Sequence, residues 1–78
     1  MFYTYVLQSE RDQSFYIGFT HDLRKRLVMH NKGKVVSTEP RKPFKLVYYE
    51  ACLNKEKAIS REKYLKSGFG KNFLRNRI

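Results

Sequence analysis

Phe15-Tyr16-Ile17-Gly18-Phe19-Thr20-His21-Asp22 is the stretch that decides the fold. Phe15 to Phe19 is aromatic and β-branched, which favours a strand. Gly18 interrupts it, and a glycine inside a strand marks a place where another chain or a ligand comes close. Thr20 then offers an N-cap and Asp22 an acidic residue for a first helical turn, so the strand is expected to run straight into a helix.

Working outward, Phe2 to Leu7 is a second aromatic and β-branched run. The polar segment Gln8–Ser14 separates it from Phe15, and the pair reads as an antiparallel hairpin. Leu23 and Leu27 give the helix after Thr20 its apolar side, to about Asn31, where Gly33 ends it. Lys32 to Pro43 is basic and broken by Gly33, Pro40 and Pro43, which predicts a loop. Phe44 to Cys52 is a third strand. Asn54 can cap a helix running to about Ser67, with Gly68 as its stop and a short terminal helix over Asn72 to Ile78. The order β-β-α-β-α-α predicts an α+β fold, a small three-stranded, mainly antiparallel sheet flanked by helices. One domain over residues 1–78 is expected, with a small core carried by six Phe and six Tyr.

Composition narrows the function classes. The single cysteine, Cys52, excludes an intramolecular disulfide framework, and one Cys with two His far apart does not fit the usual structural zinc spacings. The apolar run at Met1–Leu7 has no basic leader and is too short for a signal peptide or membrane helix, so a cytoplasmic setting and no membrane partner are expected. The net charge of +10 favours an anionic partner, nucleic acid first.

Three groups of residues break the local pattern, as functional residues often do. At about 100° per residue, Leu23 and Leu27 define the buried side of the first helix, and Arg26 and His30, at i and i+4, stand together on its edge. In the second helix Glu62 falls inside the stripe made by Ala58, Ile59 and Leu65, although glutamate is rarely buried without a partner. A salt bridge explains such a glutamate as readily as a site does, and Glu50 and Glu56 are rival carboxylates. Tyr3 and Tyr5 share a face of the first strand, and Tyr16 closely precedes Gly18. Aromatic core packing would account for most of six tyrosines.

Taken together, these residues resemble the GIY-YIG nuclease superfamily, in particular its short stand-alone members. Tyr3-Thr4-Tyr5 looks like the first motif and Tyr16-Ile17-Gly18 like the second. Arg26 stands ten residues after Tyr16, where the family has its arginine, His30 follows one turn later, and Glu62 takes the place of the metal-binding glutamate. Two departures are visible: only Tyr5 of the first motif is kept, and Phe19 stands where some members carry Lys. The resemblance implies hydrolysis of a DNA phosphodiester by water with one divalent ion, Mg²⁺ or Mn²⁺. Tyr5 would act as base, Tyr16 would position the water, His30 would assist or be the rival base, Arg26 would brace negative charge, and Glu62 would hold the metal. Gly18 is expected to be structural. Lys32, Lys34, Arg41, Lys42, Lys71 and Arg75, with Arg77, are the expected phosphate contacts. RNA is left open as substrate, as is a homodimer or protein partner. The alternatives are a nucleic-acid-binding module that does not cut and a nuclease subunit that needs a partner.

Overall fold

A computed structural model describes residues 1–78. Strand β1 (Phe2–Ser9) is central, with β2 (Phe15–Thr20) on one side and β3 (Phe44–Cys52) on the other, both antiparallel to it. Helix α1 (Leu23–Asn31) follows β2, a 3₁₀ turn (Glu39–Arg41) interrupts the basic loop, and α2 (Lys55–Lys66) and α3 (Gly68–Arg75) follow β3. The α+β sheet-and-helix order expected from the sequence is what forms.

The core has two halves, one on each face of the sheet. Tyr5, Leu7 and Phe44 pack with Tyr16, Leu23, Leu27 and Leu46 on the α1 side. Val6, Leu65 and Leu74 pack with Ile17, Val47, Tyr48 and Phe73 on the α2–α3 side. Strict alternation along β3 would put Val47 opposite Tyr48, yet both belong to the second half. A bulge explains this: Val6 pairs with Tyr48 but Leu7 pairs with Leu46, so Val47 is the extra residue.

Local chemistry sets the helix ends. Asp22, not Thr20, caps α1, because its carboxylate accepts from the Lys25 N–H at 3.0 Å. Thr20 instead braces the strand-to-helix turn by accepting from the Asp22 N–H at 3.1 Å. Gly33, at φ +75°, closes α1: its N–H donates to His30 and the Lys34 N–H to Met29, the two bonds of a Schellman end. Asn31 then clamps the helix end to β3 through Phe44, whose N–H it accepts at 2.6 Å and whose carbonyl it donates to at 3.1 Å.

The end of α2 differs from expectation. Ser67 rather than Gly68 is the junction, and Gly68 opens α3, which starts and finishes earlier than the expected Asn72–Ile78 helix. The Ser67 hydroxyl caps α3 through the Gly70 N–H. Gly70 is needed for close approach: a Cβ there would lie 2.1 Å from the Tyr64 carbonyl oxygen and 2.3 Å from the Leu65 Cα. The two helices therefore meet backbone to backbone. Thr4 ties the same side to the sheet, donating from β1 to the Ala58 carbonyl of α2 at 2.7 Å.

Candidate active site

Tyr5 is the hub. It lies on the central strand with Gly18 as its neighbour on β2 and Tyr49 as its neighbour on β3. A Cβ on Gly18 would stand 2.5 Å from both Cζ and the hydroxyl oxygen of Tyr5. Only glycine lets the Tyr5 ring lie across β2, so the structural role expected of Gly18 has a steric cause. The ring is 1% exposed.

Helix α1 supplies the groups that meet the Tyr5 hydroxyl. His30 is fully buried, and its Nε2 lies 2.8 Å from that oxygen. Its Nδ1 lies 2.7 Å from the hydroxyl of Thr38, also fully buried, whose single proton is directed to the Val35 carbonyl at 3.3 Å. The direction of the chain follows. Thr38 donates to Val35, so it accepts from Nδ1–H; Nε2 is then a free acceptor, and Tyr5 donates to it. Tyr16 closes the cluster, its ring centroid 5.1 Å from that of His30 and 6.4 Å from that of Tyr5.

The charges are consistent with this enclosure. Burial drives the His30 pKa down to about 4, and the Arg26 cation adds to the fall. Burial raises Tyr5 above the ordinary tyrosine value. The Arg26 guanidinium beside it pulls the other way, and the Tyr16 hydroxyl and the Glu62 carboxylate push it up. Both groups are thus neutral at pH 7. The buried Arg26 Nε has no hydrogen-bond partner, a cost that native structures seldom leave without a purpose.

Glu62 approaches from α2, which packs on β1 and β2. Its side chain is 21% exposed and pairs only with Lys66, at 3.2 Å, a weak i,i+4 contact. The rival carboxylate Glu50 is fully engaged elsewhere. It faces α2, accepts from Arg61 Nε at 2.8 and 3.1 Å and from the Tyr48 hydroxyl at 2.6 Å. Burial alone would raise its pKa, but those bonds outweigh it and hold it below the usual carboxylate range. Arg61 and Arg77 sit against the Phe73 ring, at 4.6 and 3.9 Å from its centroid, which completes a clasp between β3, α2 and α3.

Tyr5, Tyr16 and His30 are thus in direct contact, and the charges of Arg26 and Glu62 both act on the Tyr5 hydroxyl. Thr38 was missed by sequence reasoning, because nothing in a loop threonine signals a partner eight residues back. The basic residues divide. Lys32 and Lys34 are exposed and in no ion pair. Lys42 pairs with Glu39 at 3.4 Å. Arg41 donates to the Ser14 hydroxyl at 2.7 Å and lies 6.0 Å from the Phe44 centroid, so it works as a strut. Lys71 and Arg75 rim an apolar groove with Phe15, Ile17, Leu74 and Ile78.

Residues 1–76 match the family model described as the GIY-YIG catalytic domain, and the chain belongs to that family, whose members are generally nucleases. Its relatives are UPF0213 proteins. One from Streptococcus pneumoniae serotype 4 is 49% identical over 65 residues, which are 82% of this chain and 65% of the relative. One from Clostridium perfringens is 46% identical over 67 residues, covering 85% of this chain and 71% of the relative. The chain thus spans just under two thirds of the pneumococcal protein. The solution NMR structure of a UPF0213 protein from Bacillus halodurans has a TM-score of 0.59 and 36% identity, covering 97% of this chain and 84% of that one.

Proposed function

We propose that this protein is a metal-dependent endonuclease that hydrolyses DNA phosphodiesters at the Tyr5 basin. The observation that carries the reading is the buried Arg26 Nε without a partner, beside the Tyr5–His30 pair on which the Glu62 charge also acts. A phosphate oxygen is the acceptor that would satisfy it, and the planar guanidinium fork suits an anion gaining charge.

The residues fit a divalent cation held by one carboxylate. No cluster of three His, Cys, Asp or Glu surrounds Glu62, so water and substrate phosphate would complete the shell, as Mg²⁺ tolerates. Such an ion supplies positive charge against the phosphate and the departing oxygen. Glu62 is suited to hold it, since its one tie, to Lys66, is weak.

The proton path belongs to the chain itself. A free tyrosinate is disfavoured, because burial raises the Tyr5 pKa. A concerted relay avoids it: as the attacking water gives its proton to the Tyr5 oxygen, Tyr5 passes its own to His30 Nε2. The resulting imidazolium keeps its bond to Thr38. His30 Nε2 lies 2.8 Å from the Tyr5 oxygen, so it receives the proton through Tyr5. Tyr16, half-buried, is the tyrosine open to solvent and positions the water. Lys32, Lys34, Lys71 and Arg75 are the exposed cations suited to bind flanking phosphates.

The test is cleavage of branched, nicked, single-stranded and duplex DNA with and without Mg²⁺ or Mn²⁺. Glu62→Gln and Arg26→Lys should each abolish metal-dependent cutting. Undiminished cutting by either variant sinks the assignment.

A further inference from the structure

A groove of about 470 Å³ lies on the same sheet face as Tyr5, on the β3 side of α1. It is lined by Tyr3, His21, Arg24, Leu27, Leu46 and Tyr49, among others. Its size falls within the range of small-ligand sites. The two tyrosines meet at 6.1 Å between centroids with a tilt of 59°, side by side at the mouth of the groove. Tyr49 is 54% exposed and its hydroxyl makes no hydrogen bond, so its ring is accessible from solvent. Asp22 also lines the groove, but its carboxylate is turned to cap α1 through the Lys25 N–H. The remaining charge is Arg24, on a chain of net charge +10.

We propose that this groove is a platform for an unpaired nucleobase. A flat π-face, an apolar floor and a neighbouring cation are the three parts that bind single-stranded nucleic acid, the aromatic stacking on the base and the cation meeting the backbone. Charge complementarity favours this occupant over a second copy of the chain, which would bring another +10 to the contact. Position favours it too. Tyr49 is the direct cross-strand partner of Tyr5, so a base on Tyr49 belongs to a nucleotide beside the one at the basin. A base inside a continuous duplex cannot stack there. The inference rests on the nuclease reading and narrows its substrate to nucleic acid with an unpaired nucleotide next to the scissile bond, as in a single strand, flap or branch.

The chain has no tryptophan, so Tyr49→Trp creates a single fluorescent reporter. The measurement uses this variant in a Glu62→Gln background, titrated with oligo(dT), oligo(U) and a blunt duplex of equal length. Fluorescence anisotropy of the labelled strand reports binding independently. Quenching by single strands but not by duplex is expected, and the oligo(dT) and oligo(U) arms distinguish DNA from RNA. In the same background, Tyr49→Ala should weaken oligo(dT) binding roughly 5- to 150-fold, the loss of one stacked base, and leave duplex binding nearly unchanged. Binding of oligo(dT) without quenching overturns the platform while the nuclease reading stands. Equal loss of single-strand and duplex binding in Tyr49→Ala also overturns it, since Tyr49 would then be a general contact or a fold element. Failure to bind any nucleic acid overturns both.

Discussion

Thr38→Val is the most informative perturbation of the proton path. Valine has nearly the shape of threonine but no oxygen, so the loop packing survives while His30 Nδ1 loses its acceptor. Thr38 is the only partner of that nitrogen, at 2.7 Å, and the ring is sealed from water. Two outcomes are open to the histidine. It can keep its proton on Nδ1 as a buried, unsatisfied donor, which costs about 1–3 kcal/mol. Or it can move the proton to Nε2, which then faces the Tyr5 oxygen as a donor. Tyr5 would have to turn its own proton elsewhere and could no longer pass it to His30.

The second outcome turns off the relay, and general acid–base assistance of this kind is typically worth 10²–10⁴ in rate. Cleavage should therefore fall by about 10²-fold or more. In a domain of this size about 1 kcal/mol corresponds to roughly 4–8 °C in Tm, so a drop on the order of 10 °C would mark the first outcome. The assay is two-fold. Long-range ¹⁵N–¹H correlations of the imidazole rings, simple to assign with only two histidines, read the tautomer directly. Cleavage of branched DNA reads the consequence. Thr38→Ser, which keeps the oxygen, should preserve both. Wild-type His30 protonated on Nε2, or a Thr38→Val protein that loses the Nδ1 tautomer yet cuts at full rate, would refute the reasoning.

Other expectations follow from the same contacts. Gly18→Ala drives a methyl into the Tyr5 ring at 2.5 Å, so the ring must swing away from His30; a stability loss of about 1–3 kcal/mol by thermal melting and a near-complete loss of cleavage are expected. Gly70→Ala meets backbone that cannot yield, at 2.1 Å, and should cost on the order of 3 kcal/mol or more, seen as a lowered Tm. The His30 pKa falls on folding from 6.5 to about 4, so the stability it contributes is present above pH 6.5 and is lost as pH drops toward 4. That loss is about 3 kcal/mol, and denaturant titrations of His30→Gln between those pH values should show a flatter slope than the parent. Glu50→Gln loosens the Arg61–Tyr48 clasp and should lower Tm while metal-dependent cleavage per folded molecule stays unchanged.

The strands, the Asn54 cap and the Gly33 stop were legible because each depends on chemistry within a few residues. What the sequence hid depends on distance or on an extra residue. The face that Glu50 takes is set by the Val47 bulge, which shifts the alternation along β3 by one step and exists only as a mismatch with β1. Gly68 looked like a helix stop because a glycine at the end of a periodic run usually is one. Here Ser67 makes the junction and a second glycine, Gly70, takes the close contact. The candidate site was visible for a different reason. Arg26, His30 and Glu62 interrupt the apolar stripes of their helices, and a polar residue in such a stripe needs a partner from another element. The structure supplies Tyr5 and Thr38 to His30, places the charges of Arg26 and Glu62 beside Tyr5, and gives nothing to the Arg26 Nε. A fold stabilised by its own contacts alone would have little reason to leave that one donor buried and bare. The unmet demand is for an anionic oxygen placed beside a hydroxyl that can hand on a proton, and a phosphodiester brings that oxygen with it.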